Sequence, residues 1–509
     1  MTDTAVDTTA RHSNGSGPSH VRIAIVGAGF GGLGMAIKLR EEGIEDFAIL
    51  ERHDDVGGTW HANTYPGCQC DIPSHLYSFS FEPNPDWSRT YATQPEIWRY
   101  LRGVAERHGL IERIRFGTEL TGASWDEDAN LWRIETSRGP LTAEMLVAAP
   151  GGLSEPSLPA VEGLGEFEGK ILHTARWDGD YDFTGKRVAV VGTGASAIQA
   201  VPQLQPAVER LTLFQRTPPW VVPHRDRPVT DRERKLFRRF PALQRAIRSL
   251  VYWRNELLVP ALVYRPPLLK IAERVARRHI AEQVSDPALR AKLTPDYTIG
   301  CKRILPSNLW YPALQQPNVE IAFGGLEQVR GDGVVMPGGE LREVDAIVFA
   351  TGFYVTEMPL GDVIRGRGGV ALSDVWQGSP QAYRGTATAG FPNMFWITGP
   401  NTGLGHNSIV FMIEAQLNYL IGAIRTMGRR GANVLEVRKE AQDAYNARLQ
   451  AKLPQTVWNS GGCQSWYIDA NGRNTTIWPD FTWRFWQENR QFDAASYELT
   501  ARRPAAVAA

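Results

Sequence analysis

The chain has 509 residues, and its 55 basic and 55 acidic side chains give a formal net charge of zero. This balance argues against a nucleic acid partner, and the length allows two or three domains with large cores. No apolar run approaches the ~18 residues of a membrane-spanning helix. Residues 1–20 are polar and lack the apolar centre of a signal peptide, so we expect a disordered leader and a cytoplasmic protein.

The four cysteines are few for this length, and they are Cys68, Cys70, Cys301 and Cys463. Such sparse use suits a reducing compartment, so we expect inert thiols that fill small apolar spaces. Cys68 and Cys70 form a CxC pair, whereas a disulfide reductase is expected to carry CxxC. That class of enzyme is therefore not favoured.

In chain order, the pattern predicts an α/β fold. A strand at residues 21–26 runs into a glycine-rich turn and a helix, and the next strand, at residues 48–50, leads into Glu51. Further strands are predicted at residues 115–116, 132–136, 145–149, 188–191, 211–214, 319–322, 346–349 and 394–397. Residues 230–290 have apolar residues at helical spacing without strand signals, and a long helix is predicted over residues 408–427.

Two motifs of the GxGxxG type each follow an apolar strand. Their residues are Gly27, Gly29 and Gly32 in the first, and Gly192, Thr193, Gly194, Ser196 and Ala197 in the second. Glycine at these positions allows a tight turn and lets a pyrophosphate approach the N-terminus of the following helix. The sequence therefore predicts two dinucleotide-binding domains of the Rossmann type.

The residue 24 positions after the first glycine has opposite charge in the two motifs. It is Glu51 in the first motif and Arg216 in the second. A carboxylate accepts a hydrogen bond from a ribose hydroxyl and repels a 2′-phosphate, whereas a guanidinium binds that phosphate. We therefore predict that the first motif binds FAD and the second binds NADPH, which indicates redox chemistry.

The two predicted domains are interleaved along the chain. We expect the FAD-binding domain at residues 21–156 and 385–505 and the NADPH-binding domain at residues 157–225 and 298–384. Residues 226–297 are predicted to form a helical insertion in the NADPH-binding domain. The active site is expected between the two domains, at the carboxyl ends of their sheets.

Three further motifs, at residues 57–71, 167–178 and 300–303, resemble those of the type I Baeyer–Villiger monooxygenases, which are class B flavoprotein monooxygenases. Residues 167–178 are similar to the family fingerprint FxGxxxHxxxW followed by Pro or Asp. Residues 57–71 resemble its GGxWxxxxYPGxxxD signature. Residues 300–303 resemble the segment that carries a NADPH-binding lysine and a catalytic arginine. The resemblance extends from about residue 21 to residue 485.

The resemblance implies an enzyme that uses NADPH and O2 to insert one oxygen atom beside a ketone carbonyl, through a C4a-peroxyflavin, to give an ester or lactone. It implies that Arg303 is the catalytic cation and that Asp71 pairs with it and orients it. His173, within the fingerprint, is expected to have a structural or conformational role. The remaining residues expected to contact a cofactor are Arg52, Gly58, Thr59, Trp60, Tyr77, Thr217, Lys302 and Trp466, and no metal ligand is predicted.

Several of these residues have a simpler structural interpretation. Glu51 could be a solvated strand-end carboxylate, Asp71 a helix cap, and the pair at residues 302–303 two solvated cations. Trp60 and Tyr65 could be core aromatics. Gln69 departs from the family pattern, because some members carry an arginine there, and this leaves the local electrostatics and the substrate range open.

Two other functions are compatible with the nucleotide motifs. A flavin monooxygenase that oxygenates amine or sulfur nucleophiles would share both glycine motifs but should lack Trp177 followed by Asp178 and Lys302 followed by Arg303. A non-catalytic, NADP-responsive flavoprotein would need neither Arg303 nor Asp71. The ketone, its regioselectivity and the oligomeric state are left open.

The segment at residues 232–254 alternates basic and apolar side chains. Basic amphipathic helices can lie on anionic membranes. We favour a helical insertion whose apolar face is directed toward the active site while its arginines lie in water, so membrane contact is not expected.

Overall fold

The computed structural model describes residues 19–501 of the protein. Its strands are β1 (Ser19–Val26), β2 (Phe47–Leu50), β3 (Ile114–Arg115), β4 (Leu120–Asp126), β5 (Leu131–Thr136), β6 (Leu141–Ala148), β7 (Lys170–His173), β8 (Arg187–Val191), β9 (Arg210–Phe214), β10 (Val221–Val222), β11 (Leu305–Pro306), β12 (Val319–Ala322), β13 (Val329–Arg330), β14 (Gly333–Val335), β15 (Leu341–Glu343), β16 (Ala346–Phe349), β17 (Ile364–Arg365), β18 (Met394–Trp396), β19 (Ala432–Val437) and β20 (Tyr497–Ala501).

The α-helices connect and cover these strands. They are α1 (Phe30–Glu41), α2 (Thr59–Ala62), α3 (Gln94–Arg107), α4 (Ala195–Leu204), α5 (Asp231–Arg239), α6 (Pro241–Glu256), α7 (Lys270–Gln283), α8 (Pro287–Lys292), α9 (Trp310–Leu314), α10 (Leu360–Val363), α11 (Leu372–Trp376), α12 (Ile409–Arg430), α13 (Lys439–Lys452), α14 (Val457–Ser460) and α15 (Thr482–Asn489). A π-helical turn at Pro260–Tyr264 and a 3-10 helix at Pro266–Leu269 join α6 to α7.

The first sheet has the strand order β17-β4-β5-β6-β1-β2-β3, and β18 also pairs with β6. β1 runs parallel to β2 and β6, whereas β5 is antiparallel to its neighbours β4 and β6. Because successive side chains of a strand point to opposite faces, Ile23 and Ile25 pack in the cluster that contains α1 and α12, and Ala24 packs with Trp132 on the other face. Both faces of the central strand are therefore buried.

The second sheet has the order β12-β9-β8-β16-β7, and all its strands are parallel. Its strands come from residues 170–214 and 319–349, which lie between segments that build the first sheet. The α/β class with parallel sheets is therefore as predicted. β17 already belongs to the first sheet, although its residues 364–365 fall in the segment that the sequence assigned to the NADPH-binding domain.

The predicted leader falls almost wholly outside the described residues, which begin at residue 19. Ser19 and His20 are an exception, because they form the start of β1 and pair with Leu141 and Thr142 of β6. The sequence also missed β4, β7, β19, β20 and the short strands β10, β11, β13, β14, β15 and β17. β19 and β20 pair only with each other within residues 19–501, so neither has the continuous apolar pattern of a buried central strand.

The region expected to form the helical insertion contains α5 to α8, but the orientation expected for its apolar face is wrong for α6. In α6, Gln244 and Glu256 are buried against the rest of the protein, and Arg248 donates to the carbonyls of three residues in the 75–78 segment. Leu250 and Leu257 are 71% and 76% exposed. The helix therefore directs polar groups and Tyr252 inward and its leucines outward. In the described part of the chain, no helix combines the length and apolarity needed to cross a bilayer.

Candidate active site

The first glycine loop joins β1 to α1 and has the close contacts that require glycine. Gly27 has a φ of 95°, and a Cβ on it would lie 2.5 Å from the carbonyl oxygen of Ala149. A Cβ on Gly32 would lie 1.8 Å from the carbonyl oxygen of Gly27, which fixes how closely helix and strand approach. Within residues 19–501, no side chain caps the N-terminus of α1. Its first amides are therefore available to an anionic ligand.

Glu51 lies at the end of β2, beside this loop. Its side chain is buried, and its two oxygens accept hydrogen bonds from the amides of Ala28 at 2.7 Å and His53 at 2.9 Å. The alternative of a solvated strand-end carboxylate is therefore wrong. The position beside the loop is the one in which a carboxylate meets an adenosine ribose in Rossmann domains.

The second glycine loop joins β8 to α4 and repeats this arrangement. Gly192 has a φ of 114°, and a Cβ on it would lie 2.5 Å from the carbonyl oxygen of Ala350. A Cβ on Gly194 would meet no described atom within 4 Å, and no described side chain caps α4. Thr193 donates from its hydroxyl to the carbonyl oxygen of Thr217 at 2.8 Å, which ties the loop to the segment after β9. Ser196 and Ala197 lie in the first turn of α4.

Two cations, Arg216 and Lys302, lie close enough to interact with each other. Burial lowers the pKa of Lys302, and the positive charge of Arg216 lowers it further. Arg216 is exposed, and neither side chain forms an ion pair within the described residues. Asp296 acts to raise the pKa of Lys302 but forms no ion pair with it among the described residues, so the two cations form a site suited to a phosphate dianion.

Arg303 and Asp71 form a bidentate ion pair. Nε and Nη2 of Arg303 donate to the two carboxylate oxygens of Asp71 at 2.7 and 2.8 Å, and Nη1 donates to the carbonyl oxygen of Leu404 at 2.9 Å. The two side chains are only 24% and 27% exposed. Burial lowers the pKa of Arg303, but the Asp71 carboxylate more than offsets it, so the pKa lies above its usual value. Asp71 caps no helix, so that alternative is wrong.

The segment that carries Asp71 is held against the NADPH-side sheet. The Tyr65 hydroxyl donates to Oε1 of Gln199 in α4 at 2.9 Å, and Nε2 of Gln199 donates to the carbonyl oxygen of Gln69 at 2.9 Å. A Cβ on Gly67 would lie 2.6 Å from the carbonyl oxygen of Gln199. Tyr65 is therefore more than a core aromatic, because its hydroxyl joins the two sheet domains.

Gln69 makes contacts of its own. Its Nε2 donates to the carbonyl oxygen of Tyr91 at 2.7 Å and to Oδ2 of Asp226 at 3.0 Å, and Asp226 also pairs with Arg89 at 2.6 Å. An arginine at position 69 would bring a second cation to Asp226. A cleft of about 710 Å³ opens here and is bordered by Asp71 as well as Gln69.

The cysteine prediction is wrong for two of the four residues. Cys301 and Cys463 form a disulfide, and Cys301 immediately precedes Lys302. Cys68 and Cys70 are buried thiols, and burial raises the pKa of Cys68 to about 12. Sequence reasoning could not find the disulfide, because its cysteines are 162 residues apart and belong to no common motif.

The disulfide attaches the loop that carries Trp466 to the segment that carries Arg303. Trp466 is 48% exposed and lies against Tyr467, with a centroid separation of 4.4 Å. Tyr467 is a residue that the sequence missed: its hydroxyl is buried without a hydrogen-bond partner among the described residues. Burial raises its pKa to about 12 although the positive charge of Arg303 acts to lower it.

The fingerprint at residues 167–178 lies at the edge of the second sheet. His173 ends β7, and its Nδ1 accepts a hydrogen bond from the amide of Ala175 at 3.0 Å. Burial and the nearby Arg176 lower the pKa of His173 to about 4, so its ring is neutral near pH 7. Trp177 stacks on Phe183 with the planes 16° apart. These are contacts within the protein, and the structural or conformational role of His173 stays a prediction.

The remaining predicted residues surround the first glycine loop. The Trp60 Nε1 donates to the Tyr77 hydroxyl at 3.2 Å, and a Cβ on Gly29 would lie 3.5 Å from the Cα of Gly58. Arg52 forms a 2.9 Å ion pair with Glu155 in the connection between the sheets, and Thr59 begins α2. The residues present therefore fit two dinucleotides: uncapped helix N-termini for the pyrophosphates, a carboxylate at one ribose and paired cations at the other.

Comparison with known proteins shows which family this chain resembles. A family model for pyridine nucleotide-disulphide oxidoreductases matches residues 24–232. A Baeyer–Villiger monooxygenase of Streptomyces coelicolor is 52% identical over 491 residues, which cover 96% of this chain and 95% of that protein. A Baeyer–Villiger monooxygenase of Pseudomonas aeruginosa is 51% identical over 490 residues, which cover 96% and 93%.

Solved structures with the same architecture include a steroid monooxygenase bound to NADP and a closed form of cyclohexanone monooxygenase. The first has a TM-score of 0.84 and 32% identity over 95% of this chain and all of that one. The second has a TM-score of 0.85 and 30% identity over 96% of this chain and all of that one. The chain therefore belongs to the Baeyer–Villiger monooxygenase family, as the sequence predicted, and this membership confirms the predicted enzyme class and its cofactors, FAD and NADPH.

Proposed function

We propose that this chain inserts one oxygen atom beside a ketone carbonyl with Arg303 as its catalytic cation and Asp71 as the residue that positions it. In the overall reaction, a ketone, O2, NADPH and a proton give an ester or lactone, NADP+ and water. FAD and NADPH, when bound, supply the hydride transfer and the activation of O2. The observation that carries the proposal is the bidentate pair of Arg303 and Asp71.

Arg303 suits this role because its charge is permanent and its orientation is fixed. Two of its donors are held by Asp71 and one by the Leu404 carbonyl, so the guanidinium plane cannot rotate freely. Preorganised charge next to a developing anion stabilises a transition state without reorganisation at the moment of reaction. The carbonyl oxygen of the substrate gains negative charge when it is attacked, and Arg303 is the group we assign to stabilise it.

Arg216, Thr217 and Lys302 are assigned to the 2′-phosphate of NADPH. Lys302 and Arg303 are consecutive, so the assigned phosphate ligand and the assigned catalytic cation lie on one segment. The depressed pKa of Lys302 supports this role, because a phosphate would supply the negative charge that these two cations lack. We assign Trp466, whose loop is joined to Cys301 by the disulfide, to cover the nicotinamide end of the same cofactor.

The test is a two-step experiment on the FAD-loaded enzyme. NADPH is added without oxygen and the loss of flavin absorbance is followed; 18O2 is then admitted with a panel of small cyclic, long aliphatic, aryl and steroidal ketones. Products are analysed by gas chromatography with mass detection. We expect NADPH to bleach the flavin and at least one ketone to yield an ester with a single labelled oxygen.

Two outcomes would contradict the proposal. Labelled N-oxide or sulfoxide from an amine or sulfide, without any ester, would assign the enzyme to heteroatom oxygenation. Ester formation that is unchanged in Arg303→Ala would show that another group supplies the positive charge. In the proposed mechanism this variant keeps NADPH oxidation but loses about two to three orders of magnitude in ester formation.

A further inference from the structure

The outward face of the helical insertion carries apolar side chains that are not packed in the core. On α6 and the residue after it, Leu250, Trp253 and Leu257 have the spacing i, i+3 and i+7, and each is more than half exposed. The same spacing recurs just before and within α7 in three exposed side chains, Leu268, Ile271 and Val275. This spacing normally marks the buried stripe of a helix. Here both stripes lie in solvent.

The inward face of α6 explains why its stripe cannot be turned inward. The Glu256 carboxylate accepts hydrogen bonds from the Thr482 hydroxyl at 2.6 Å and from Nδ2 of Asn407 at 2.7 Å, and all three residues are buried. Gln244 donates to the carbonyl oxygen of Asn84 at 2.6 Å. Rotating the helix would leave these groups without partners, which costs more than exposing leucine. The outward position of the apolar stripe is therefore fixed by the fold.

Cations border this surface. Residues 240–278 contain eight Lys or Arg and two Glu, an excess of six positive charges in a chain whose net charge is zero. Both glutamates point into the protein, since Glu256 is buried and Glu273 accepts from the amide of Ile299 at 3.3 Å. Within residues 19–501, the exposed cations of this segment form one ion pair, Arg278 with Glu282. We call the exposed side chains of these two stripes and their flanking cations the insertion patch, which consists of Leu250, Trp253, Leu257, Leu258, Leu268, Ile271 and Val275 with Arg254, Arg265, Lys270 and Arg274.

We propose that the insertion patch docks the enzyme onto the surface of an anionic lipid bilayer. Apolar side chains flanked by Lys and Arg match such a surface, because the leucines enter the acyl boundary while the cations remain among the headgroups. A second copy of this chain fits less well, since a symmetric dimer would bring the same cations against each other. The enzyme lies on the bilayer and does not span it. The inference does not depend on the identity of the ketone.

The test is co-sedimentation of the FAD-loaded enzyme with vesicles. One set contains phosphatidylcholine alone and the other contains equal parts of phosphatidylcholine and phosphatidylglycerol. We expect binding to the anionic vesicles, weak binding to the neutral ones, and release at high salt. Leu257→Ser with Ile271→Ser should weaken binding to the anionic vesicles, because it removes the two most exposed apolar side chains of the patch apart from Leu250. Arg254→Gln with Lys270→Gln should weaken binding by about 25-fold, since each cation near such a surface contributes about fivefold.

A matched control changes exposed residues elsewhere: Leu158→Ser with Arg330→Glu should bind vesicles as the parent does. NADPH oxidation in vesicle-free buffer shows that each variant is folded, and it should be unchanged because the patch residues lie outside the proposed catalytic site. Three results would overturn the proposal: no sedimentation with anionic vesicles, equal binding to both vesicle types, or unaltered binding of both patch variants. A dimer in analytical ultracentrifugation that the patch variants abolish, without vesicle binding, would assign the surface to a second copy.

Discussion

Replacing Asp71 by asparagine is the most direct test of the proposed catalytic pair. The change keeps the size of the side chain and one carbonyl oxygen but removes the charge and one of the two acceptors that Arg303 uses. Arg303 keeps its hydrogen bond to the Leu404 carbonyl. The guanidinium is thus still present, but its plane is no longer held at two points.

The geometry gives two separate magnitudes. A hydrogen bond to a charged group contributes about 1.5–3 kcal/mol. Because the two side chains are 24% and 27% exposed, solvent screens part of this, and we expect the free energy of unfolding to fall by about 1–2 kcal/mol. Ester formation should fall further, by about 10- to 100-fold, because a displacement of about 1 Å in a catalytic group can cost a hundredfold.

The assay measures ester formed per NADPH oxidised, with hydrogen peroxide release as the complement, alongside a denaturant unfolding curve. Asp480→Asn is a matched control, because Asp480 is a buried carboxylate that pairs with Lys452 at 2.7 Å and Arg484 at 3.0 Å. It should lose comparable stability and keep its ratio of ester to NADPH. This comparison separates the loss of an ion pair from the loss of orientation.

A double-mutant cycle gives the refuting result. If Asp71 acts through Arg303, the variant with both Asp71→Asn and Arg303→Ala should be little slower than Arg303→Ala alone. Fully additive losses in ester formation would mean that the two residues act independently. An Asp71→Asn variant with the parental ratio of ester to NADPH would refute the role of Asp71 even if its stability fell.

Three further predictions follow from the cofactor contacts, the fingerprint and the cysteines. Arg216→Gln should raise the KM for NADPH about tenfold or more and leave the KM for NADH nearly unchanged, as measured by steady-state oxidation of each nicotinamide. Equal changes in the two KM values would show that Arg216 does not bind the 2′-phosphate. The pKa of His173 is about 4 in the folded protein, compared with an ordinary value of 6.5, so the free energy of unfolding should fall as the pH drops from about 6.5 to 4. His173→Gln should reduce that fall by up to about 3 kcal/mol. An unchanged pH dependence in denaturant titrations of this variant would contradict the prediction. Thiol titration of the denatured chain should find two thiols, Cys68 and Cys70, without reductant and four after reduction; four before reduction would exclude the disulfide.

The sequence was most informative where chemistry is local. The glycine loops, the strands before them and the opposite charges at Glu51 and Arg216 could all be read within short windows, because each depends on neighbours in one βα unit. The pairing of Arg303 with Asp71 came instead from the resemblance to a family. No local pattern joins residues 232 positions apart.

The insertion shows where periodicity falls short. Helical spacing in α6 indicated an amphipathic helix correctly, but it could not say which face meets the protein. That was decided by hydrogen bonds from Gln244, Arg248 and Glu256 to partners far away in the sequence. The disulfide escaped prediction for the same reason, since its two cysteines become neighbours only after both domains have assembled.

The bond between Cys301 and Cys463 also changes the unfolded chain. It closes a ring that contains strands of both sheets and the long helix α12, with a sequence separation of 162 residues. By the chain-entropy relation, a ring of that length reduces the conformational entropy of the unfolded ensemble, which destabilises that ensemble by roughly 5 kcal/mol at room temperature. Strands from the two nested domains thus remain tethered even after both have melted. When the chain refolds, these strands therefore meet within a closed loop and not within an open chain. A reducing buffer would remove this constraint without altering any residue of the site except the two cysteines.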